Sequence, residues 1–271
     1  MTLSDVGELG LLAELERRQL IVGVEHDAAQ LRGGLVVTQD VLVEGVHFHL
    51  DWLGWHELGF RAAAVNISDL AASGADPDAL LVSLGTPGTT DVASIVALYE
   101  GIAEAGVRVA GGDTSAAPQV VVLVTALGYA ERVPGRAGAR PGDLLVVTGP
   151  LGAAGAAFRQ RRHSRPPLRI AEGRRLAAHA HAMLDLSDGI GIDAGRLARR
   201  SGVRCVVELD AIPLTDGATI DDLAFGEDFE LLAAVEDPEE FDVIGRVEEG
   251  EGVELLLAGE RVSLAGYEHY R

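Results

Sequence analysis

A two-lobed protein of mixed α/β (α+β) structure is predicted, and three observations predict it. Short runs rich in Val and Leu alternate with Ala-rich stretches of helical spacing. A cluster of Arg, Gly and Pro at Glu131–Gly142 breaks that alternation midway. The length, 271 residues, suffices for two ordinary domains. The expected units are residues 1–135, built on a mixed sheet, and residues 136–271, a shortened α/β unit.

In the first unit, Leu35–Thr38 reads as a short strand ending at Gln39 and Asp40. His56–Gly74 carries Ala and Leu at helical spacing and stops at Gly74, before the Asp76–Pro77 break. Ala79–Leu84 is a strand, and Thr90–Ala105 an amphipathic helix capped by Thr89 or Thr90 and ended by Gly106. Val120–Tyr129 is a long β-rich run. The second unit opens with strand Leu144–Thr148 and a Gly-rich helix start at Gly149–Ala157. After the Arg-rich segment Arg159–Arg165 come a helix over Leu168–Ala180, the strand-like Ala182–Leu186 and a helix over Gly191–Ser201. Strands Val203–Leu209 and Phe229–Val235 complete its core, and from Glu236 short strands and acidic turns follow.

Composition excludes several functions. Acidic residues number 42 against 22 basic ones, a net charge of −20 that repels nucleic-acid phosphates. Every basic residue is Arg; without Lys, neither a Walker A loop nor a protein-kinase site can be built. The longest apolar stretch, Val120–Leu127, is strand length, far short of the roughly 20 residues of a spanning helix. The first ten residues lack a basic region followed by an apolar one, so a cytoplasmic location is expected. Cys205 is the sole cysteine, which rules out an intrachain disulfide and reads as a buried strand residue. No Gly-x-Ser-x-Gly elbow occurs.

The residues suited to chemistry are oxygen-bearing side chains at element ends. They are Asp27, Thr38, Asp40, Asp69, Asp113, Asp185 and Asp188. Mg²⁺ takes hard oxygen donors, few of them carboxylates, and fills the rest with water and substrate phosphate. Carboxylates converging on one cleft would hold metal across a nucleotide tail. Asp69 is the most telling, because Asp has poor helix propensity and its neighbours Ile67, Leu70 and Ala71 look buried. Asp185 and Asp188 reach one metal only if the chain turns between them, which Gly189 permits. Asp188–Gly189 is equally an ordinary turn signal, and Gly111–Thr114 equally a hairpin turn or helix cap. Gly149–Gly152 with Gly155 reads either as a phosphate-approaching loop or as tight packing.

Taken together, these segments resemble the thiamine-monophosphate kinase family, part of the aminoimidazole-ribonucleotide-synthetase-like superfamily of ATP-dependent enzymes. The similarity starts near Gly23 and runs through TQDVLVEGVHF, FRAAAVNISDLAASGA, AGGDTS (Ala110–Ser115), RAGARPGD (Arg136–Asp143), LDLSDGIGID (Leu184–Asp193), FGEDFELL (Phe225–Leu232) and GYEHY (Gly266–Tyr270). The resemblance implies an N-terminal ATP-binding domain and transfer of the ATP γ-phosphoryl group to thiamine monophosphate. It implies that Asp27, Thr38, Asp40, Asp69, Asp113, Asp185 and Asp188 bind Mg²⁺, with Asp113 and Asp188 acting in catalysis through the metal. By the same resemblance Gly112, Arg136 and Ser187 contact ATP, while His47, Glu227 and Tyr267 line the thiamine phosphate site. It further implies a homodimer joined through the N-terminal domains, while the charge and the short apolar runs point to no nucleic-acid or membrane partner.

The chain departs from the family pattern at three places. Glu25–His26–Asp27 stands where Gly-Asp-Asp is usual, Gln39 where Thr is usual, and Phe225 where Gly is usual. It is also shortened between Pro213 and Gly226 and after Val235. Two alternatives stay open at this point: another ATP-using member of the superfamily, and a non-catalytic ATP- or thiamine-phosphate-binding protein.

Overall fold

The structure is a computed structural model that describes residues 2–21 and 26–267. Gly23, Glu25 of the Glu-His-Asp departure and residues 268–270 of the GYEHY motif lie outside the described residues. In chain order the elements are α1 (Leu3–Arg17), β1 (Ala29–Gln30), β2 (Leu35–Val43), α2 (Trp55–Ala72), β3 (Asp76–Thr86) and α3 (Val92–Glu104). Next come β4 (Arg108–Ala116), β5 (Val121–Tyr129), β6 (Leu144–Val147), α4 (Ala153–Arg159), α5 (Ile170–His179) and β7 (Ala182–Asp185). The chain continues through α6 (Ile190–Ser201), β8 (Arg204–Glu208), β9 (Leu231–Val235), β10 (Asp242–Glu248), β11 (Gly252–Leu257) and β12 (Glu260–Val262).

The strands form two mixed sheets, ordered β1-β2-β5-β3-β4 and β12-β11-β8-β10-β6-β9-β7. In the first, β5 runs antiparallel between β2 and β3, and β3 pairs parallel with β4. Burial alternates along β2, so Val36, Thr38 and Leu42 turn to the covered face while Gln39 and Val41 are exposed. The helix that covers this face is α2. It buries 14 of its 18 residues, which is why it is Ala-rich all round rather than striped. One side packs on the first sheet and α3 through Ile67, Leu70, Leu80, Leu98 and Val122. Its last turn, Ala71 and Ala72, packs instead on Val146, Leu176, Met183 and Leu231 of the second half. A separate core lies between the second sheet and α6, with Leu145, Leu184, Leu197 and Val207.

Local chemistry explains the helix ends. Gly74, at φ 66°, closes α2 in a Schellman arrangement, with Gly74 N–H on Ala71 O at 2.9 Å and Ala75 N–H on Leu70 O at 2.8 Å. The cap of α3 is Asp91, whose carboxylate accepts from Ala93 N at 3.2 Å, rather than the expected Thr89 or Thr90. Where α2 and α3 cross, Gly101 comes so close that an added Cβ would lie 1.8 Å from His56 O. Gly101→Ala is therefore expected to destabilise the fold by roughly 1–3 kcal/mol, since a backbone oxygen cannot move aside. Gly88, with nothing within 4 Å, supplies a near-neutral control in urea unfolding.

Most expected elements are present, with shifts that have local causes. Gly111–Thr114 is neither hairpin turn nor helix cap; it lies inside β4. Gly112 serves close strand approach, its added Cβ falling 1.8 Å from Val82 O, while Gly111 would meet only Leu81 Cδ2 at 3.5 Å. The Asp76–Pro77 break is instead the start of β3, where the pairing shifts between Pro77 and Ala79 because Pro has no N–H to donate. The strand expected from Phe229 starts at Leu231, because Phe229 is left-handed at φ 53°. Helix α1 escaped notice because Gly7, at φ 68°, interrupts its helical geometry. Cys205 is buried in β8, and burial pushes its thiol up to about 12. Thiol reagents should leave the native chain unlabelled and modify it only after denaturation; labelling at native conditions would contradict this burial. Among the described residues no helix is long and apolar enough to cross a membrane.

Candidate active site

Four segments far apart in sequence deliver oxygen ligands to one place. Asp27 comes from the bend before β1, Thr38 from β2, Asp69 from the last turn of α2, and Asp185 from the last position of β7. One carboxylate oxygen each from Asp27, Asp69 and Asp185 lies within 4.8 Å of the others. Thr38 Oγ1 donates to Asp69 Oδ2 at 2.5 Å, and Ser68 Oγ donates to Asp185 Oδ2 at 2.7 Å. Asn66, on the same helix, accepts from Asp40 N at 3.0 Å and ties the β2 backbone to α2. The residues around Asp69 are buried as expected, and its carboxylate is met by Thr38 and by other carboxylates rather than by an apolar wall.

The electrostatics of this nest are unfavourable on its own terms. Burial first, then the like charges of Asp40, Asp185 and Asp27, hold Asp69 well above the usual carboxylate range. Asp185 is raised in the same way by burial and by Asp27, and Asp40 is pushed up to about 6 by burial, Asp188 and Asp27. One cation within the chain relieves part of this: Arg136 Nη2 lies 2.5 Å from Asp27 Oδ1, and its Nε donates to the same oxygen at 3.0 Å. Oxygen-only donors, crowded enough to repel one another, fit a hard divalent cation such as Mg²⁺.

Beside the nest, the turn after β7 is fixed by residues that escaped sequence reading. Asp193 Oδ2 accepts from Ser187 N at 3.1 Å and Asp188 N at 2.9 Å, so both peptide N–H groups point into the start of α6. Asp193 is fully buried, and burial pushes it up to about 7, with the Arg196 charge opposing. Arg196 bridges Asp188 at 2.5 Å and Asp193 at 2.8 Å. The chain bends at Ser187 and Asp188, between Asp185 and α6, and Gly189, at φ 104°, follows that bend as the residue before α6.

A second group faces this turn. The loop Gly226–Phe229 has three left-handed residues, Gly226, Glu227 (φ 57°) and Phe229, and is stitched to it by Glu227 N–H on Ser187 O and Phe229 N–H on Leu186 O, both 2.9 Å. Left-handed non-Gly residues cost of order 1–3 kcal/mol each, and here two of them fall in one four-residue loop. Tyr267 N–H bonds Asp188 O at 3.1 Å, and its hydroxyl is raised by burial, Glu227 and Asp188. His47 Nδ1 accepts from Val43 N at 3.1 Å, which places any ring proton on Nε2. Around them stand aromatic rings: Trp52 lies 5.5 Å from Phe158, and Phe158 lies 4.8 Å from Phe225, the last being the residue that departs from the usual Gly. Of the chain's departures, Phe225 joins these rings and His26 packs against Gly135, while Gln39 lies on the exposed face of β2 and accepts from Thr125 Oγ1 at 2.9 Å.

The structure does not gather every expected residue. Gly112 and Asp113 sit on β4, which is exposed along its whole length, and Asp113 contacts its own neighbour, Thr114 N, at 2.8 Å. Strands β5 and β3 separate β4 from β2, which puts about 14 Å between Asp113 and the β2 residues. Within the Gly149–Gly155 segment the N–H groups at Leu151, Gly152 and Ala154 are already taken, the first by Pro213 O at 2.8 Å. The buried Asp228 accepts from Gly152 N at 2.8 Å and Ala154 N at 3.4 Å, filling the start of α4. A Cβ on Gly155 would lie 2.8 Å from Asp222 Cβ, so that glycine serves packing.

The chain matches known proteins along most of its length. Residues 25–130 match the N-terminal domain of AIR synthase related proteins, and residues 140–258 match the C-terminal domain. It is 32% identical to the thiamine-monophosphate kinase of Aquifex aeolicus, covering all of both chains. It is 34% identical to the enzyme of the same name from Pyrococcus horikoshii, covering 88% of this chain and 86% of that one. Among solved structures, AaThiL complexed with AMPPCP and TMP superposes with a TM-score of 0.91 at 32% identity, covering 99% of both chains.

Proposed function

The chain belongs to the thiamine-monophosphate kinase family of AIR synthase related proteins, and we propose that it converts thiamine monophosphate and ATP to thiamine diphosphate and ADP. It is a kinase. The observation that carries the reading is the nest of Asp27, Asp69 and Asp185 with Thr38, a phosphate-handling centre that needs no Lys. Asp27, Thr38, Asp40, Asp69, Asp185 and Asp188 would hold Mg²⁺, which when bound would supply positive charge against the phosphoryl oxygens. Arg136 and the Ser187 turn, fixed by Asp193 and Arg196, position the ATP phosphates. His47, Glu227 and Tyr267 face the acceptor, with Trp52, Phe158 and Phe225 offering ring faces to its heterocycles. In-line transfer needs positioning and charge neutralisation, so no covalent nucleophile is assigned.

Two units, 1–135 and 136–271, share this work in a cytoplasmic enzyme without nucleic-acid or membrane partners. The first also makes a homodimer. Among the described residues its sheet has two open edges, because no strand lies beyond β4 and β1 pairs with β2 only at Val36 and Val37. Two copies about a twofold axis would pair β4 of each with β2 of the other. That pairing brings Gly112 and Asp113 of one copy to the nest of the other.

The test is the purified chain with ATP, Mg²⁺ and thiamine monophosphate, with product separated by chromatography. Thiamine diphosphate should form only in the complete mixture, and excess EDTA should stop it. Product that persists in EDTA would remove the metal from the account. ATP and thiamine monophosphate bound without product would make the chain a binding protein.

A further inference from the structure

Arg61 is an unusual residue to find where it is. It lies in the Ala-rich wall of α2 at 1% exposure, among the largest fully buried side chains. Its Nη2 is 2.6 Å from Glu227 Oε2, across from one half of the chain to the other. Its Nη1 donates to Ser164 O at 3.4 Å, and the guanidinium carbon stands 5.7 Å from the centre of the Phe229 ring. Yet Nε and Nη2 have no aligned hydrogen-bond acceptor. A buried guanidinium with donors unfilled is a poor stabiliser, and an apolar side chain of that volume would serve packing as well or better.

The contacts of Arg61 all lead to one place. Glu227 and Phe229 are the two left-handed non-Gly residues of the strained loop, and both touch Arg61. Ser164 follows His163, whose ring lies 6.0 Å from Trp52. Arg61 therefore clips the carboxylate loop and the aromatic-bearing segment to α2, the helix that also carries Asn66, Ser68 and Asp69 into the nest. We infer that Arg61 is a positioning residue for the acceptor, holding Glu227 at a set distance from the nest. The inference rests on the acceptor role proposed for Glu227. Arg61 itself is too buried to touch the substrate; it acts through Glu227.

The test compares Arg61→Met, Arg61→Lys and Glu227→Gln, alone and with Arg61→Met and Glu227→Gln combined. Kinetics are read with thiamine monophosphate and ATP varied separately, and ligand binding and Tm alongside. Arg61→Met should keep its Tm and its KM for ATP within about twofold while raising the KM for thiamine monophosphate roughly 10- to 100-fold. Arg61→Lys, which keeps the charge but not the fork, should recover part of that loss. Adding Arg61→Met to Glu227→Gln should cost little more, because both act through one carboxylate. Should Arg61→Met fail to fold, the Arg61→Lys split between the two KM values decides. An unchanged acceptor KM, both KM values moving together, or an additive double variant would overturn the inference while leaving the kinase reading intact. A wild-type chain that does not bind thiamine monophosphate would overturn both.

Discussion

Asp69→Asn is expected to lose at least about a thousandfold in kcat and, in EDTA, to melt at a higher temperature than the wild type. The two effects share one cause. Charge held against the transferring phosphoryl group is worth several kcal/mol, and each 1.36 kcal/mol is a factor of ten in rate. Without metal, Asp69 is one of three carboxylates within 4.8 Å, buried and mutually repelling. Asn removes one of the charges and still accepts the Thr38 hydroxyl, so the metal-free fold gains. Each kcal/mol relieved should appear as a rise of about 2–4 °C for a chain of this size. A variant that keeps most of its activity, or melts lower in EDTA, would show that the nest is structural.

Mixing two inactive variants, Asp113→Asn and Asp69→Asn, is expected to restore activity to about a quarter of wild type once subunits exchange. The estimate is statistical: half the dimers are mixed, and one of the two sites in each has both carboxylates. It follows from position. Asp113 sits on the fully exposed β4, with two strands between it and the Thr38 and Asp40 strand of its own copy. The spacing puts it beyond direct reach of its own nest. Mixed dimers detected by mass yet inactive, or an Asp113→Asn variant as active as wild type, would break the shared-site arrangement.

What the sequence disclosed and what it hid follow a physical division. Asp69 was legible because a helix full of Ala and Leu had no local use for a carboxylate, and Asp185 because a strand ended on it. Their meeting was not legible: Ser68 and Asp185 bond across 117 positions of chain. Arg61 reads locally as an ordinary helix residue, since Arg has good helix propensity; the contacts it makes with Ser164, Glu227 and Phe229 come from the distant second half of the chain. Asp193 and Arg196 sit at i, i+3 on α6 and look like a surface pair, until the turn at Ser187 supplies N–H groups for Asp193 to accept. The β4 strand was missed because its Gly-Gly pair signals a turn wherever no neighbouring backbone demands close approach. Trp52, Phe158 and Phe225 share no local pattern; they converge from two loops and one short helix.

The central claim is that this carboxylate nest serves direct transfer of one phosphoryl group from ATP to thiamine monophosphate. The most direct measurement follows ATP radiolabelled at the γ-phosphate through the reaction, with Asp69→Asn run beside the wild type. The label should appear in the terminal phosphate of thiamine diphosphate, mole for mole with ADP, and be nearly absent from the product of the variant. Label released only as inorganic phosphate, or AMP formed in place of ADP, would contradict direct transfer and with it this account of the site.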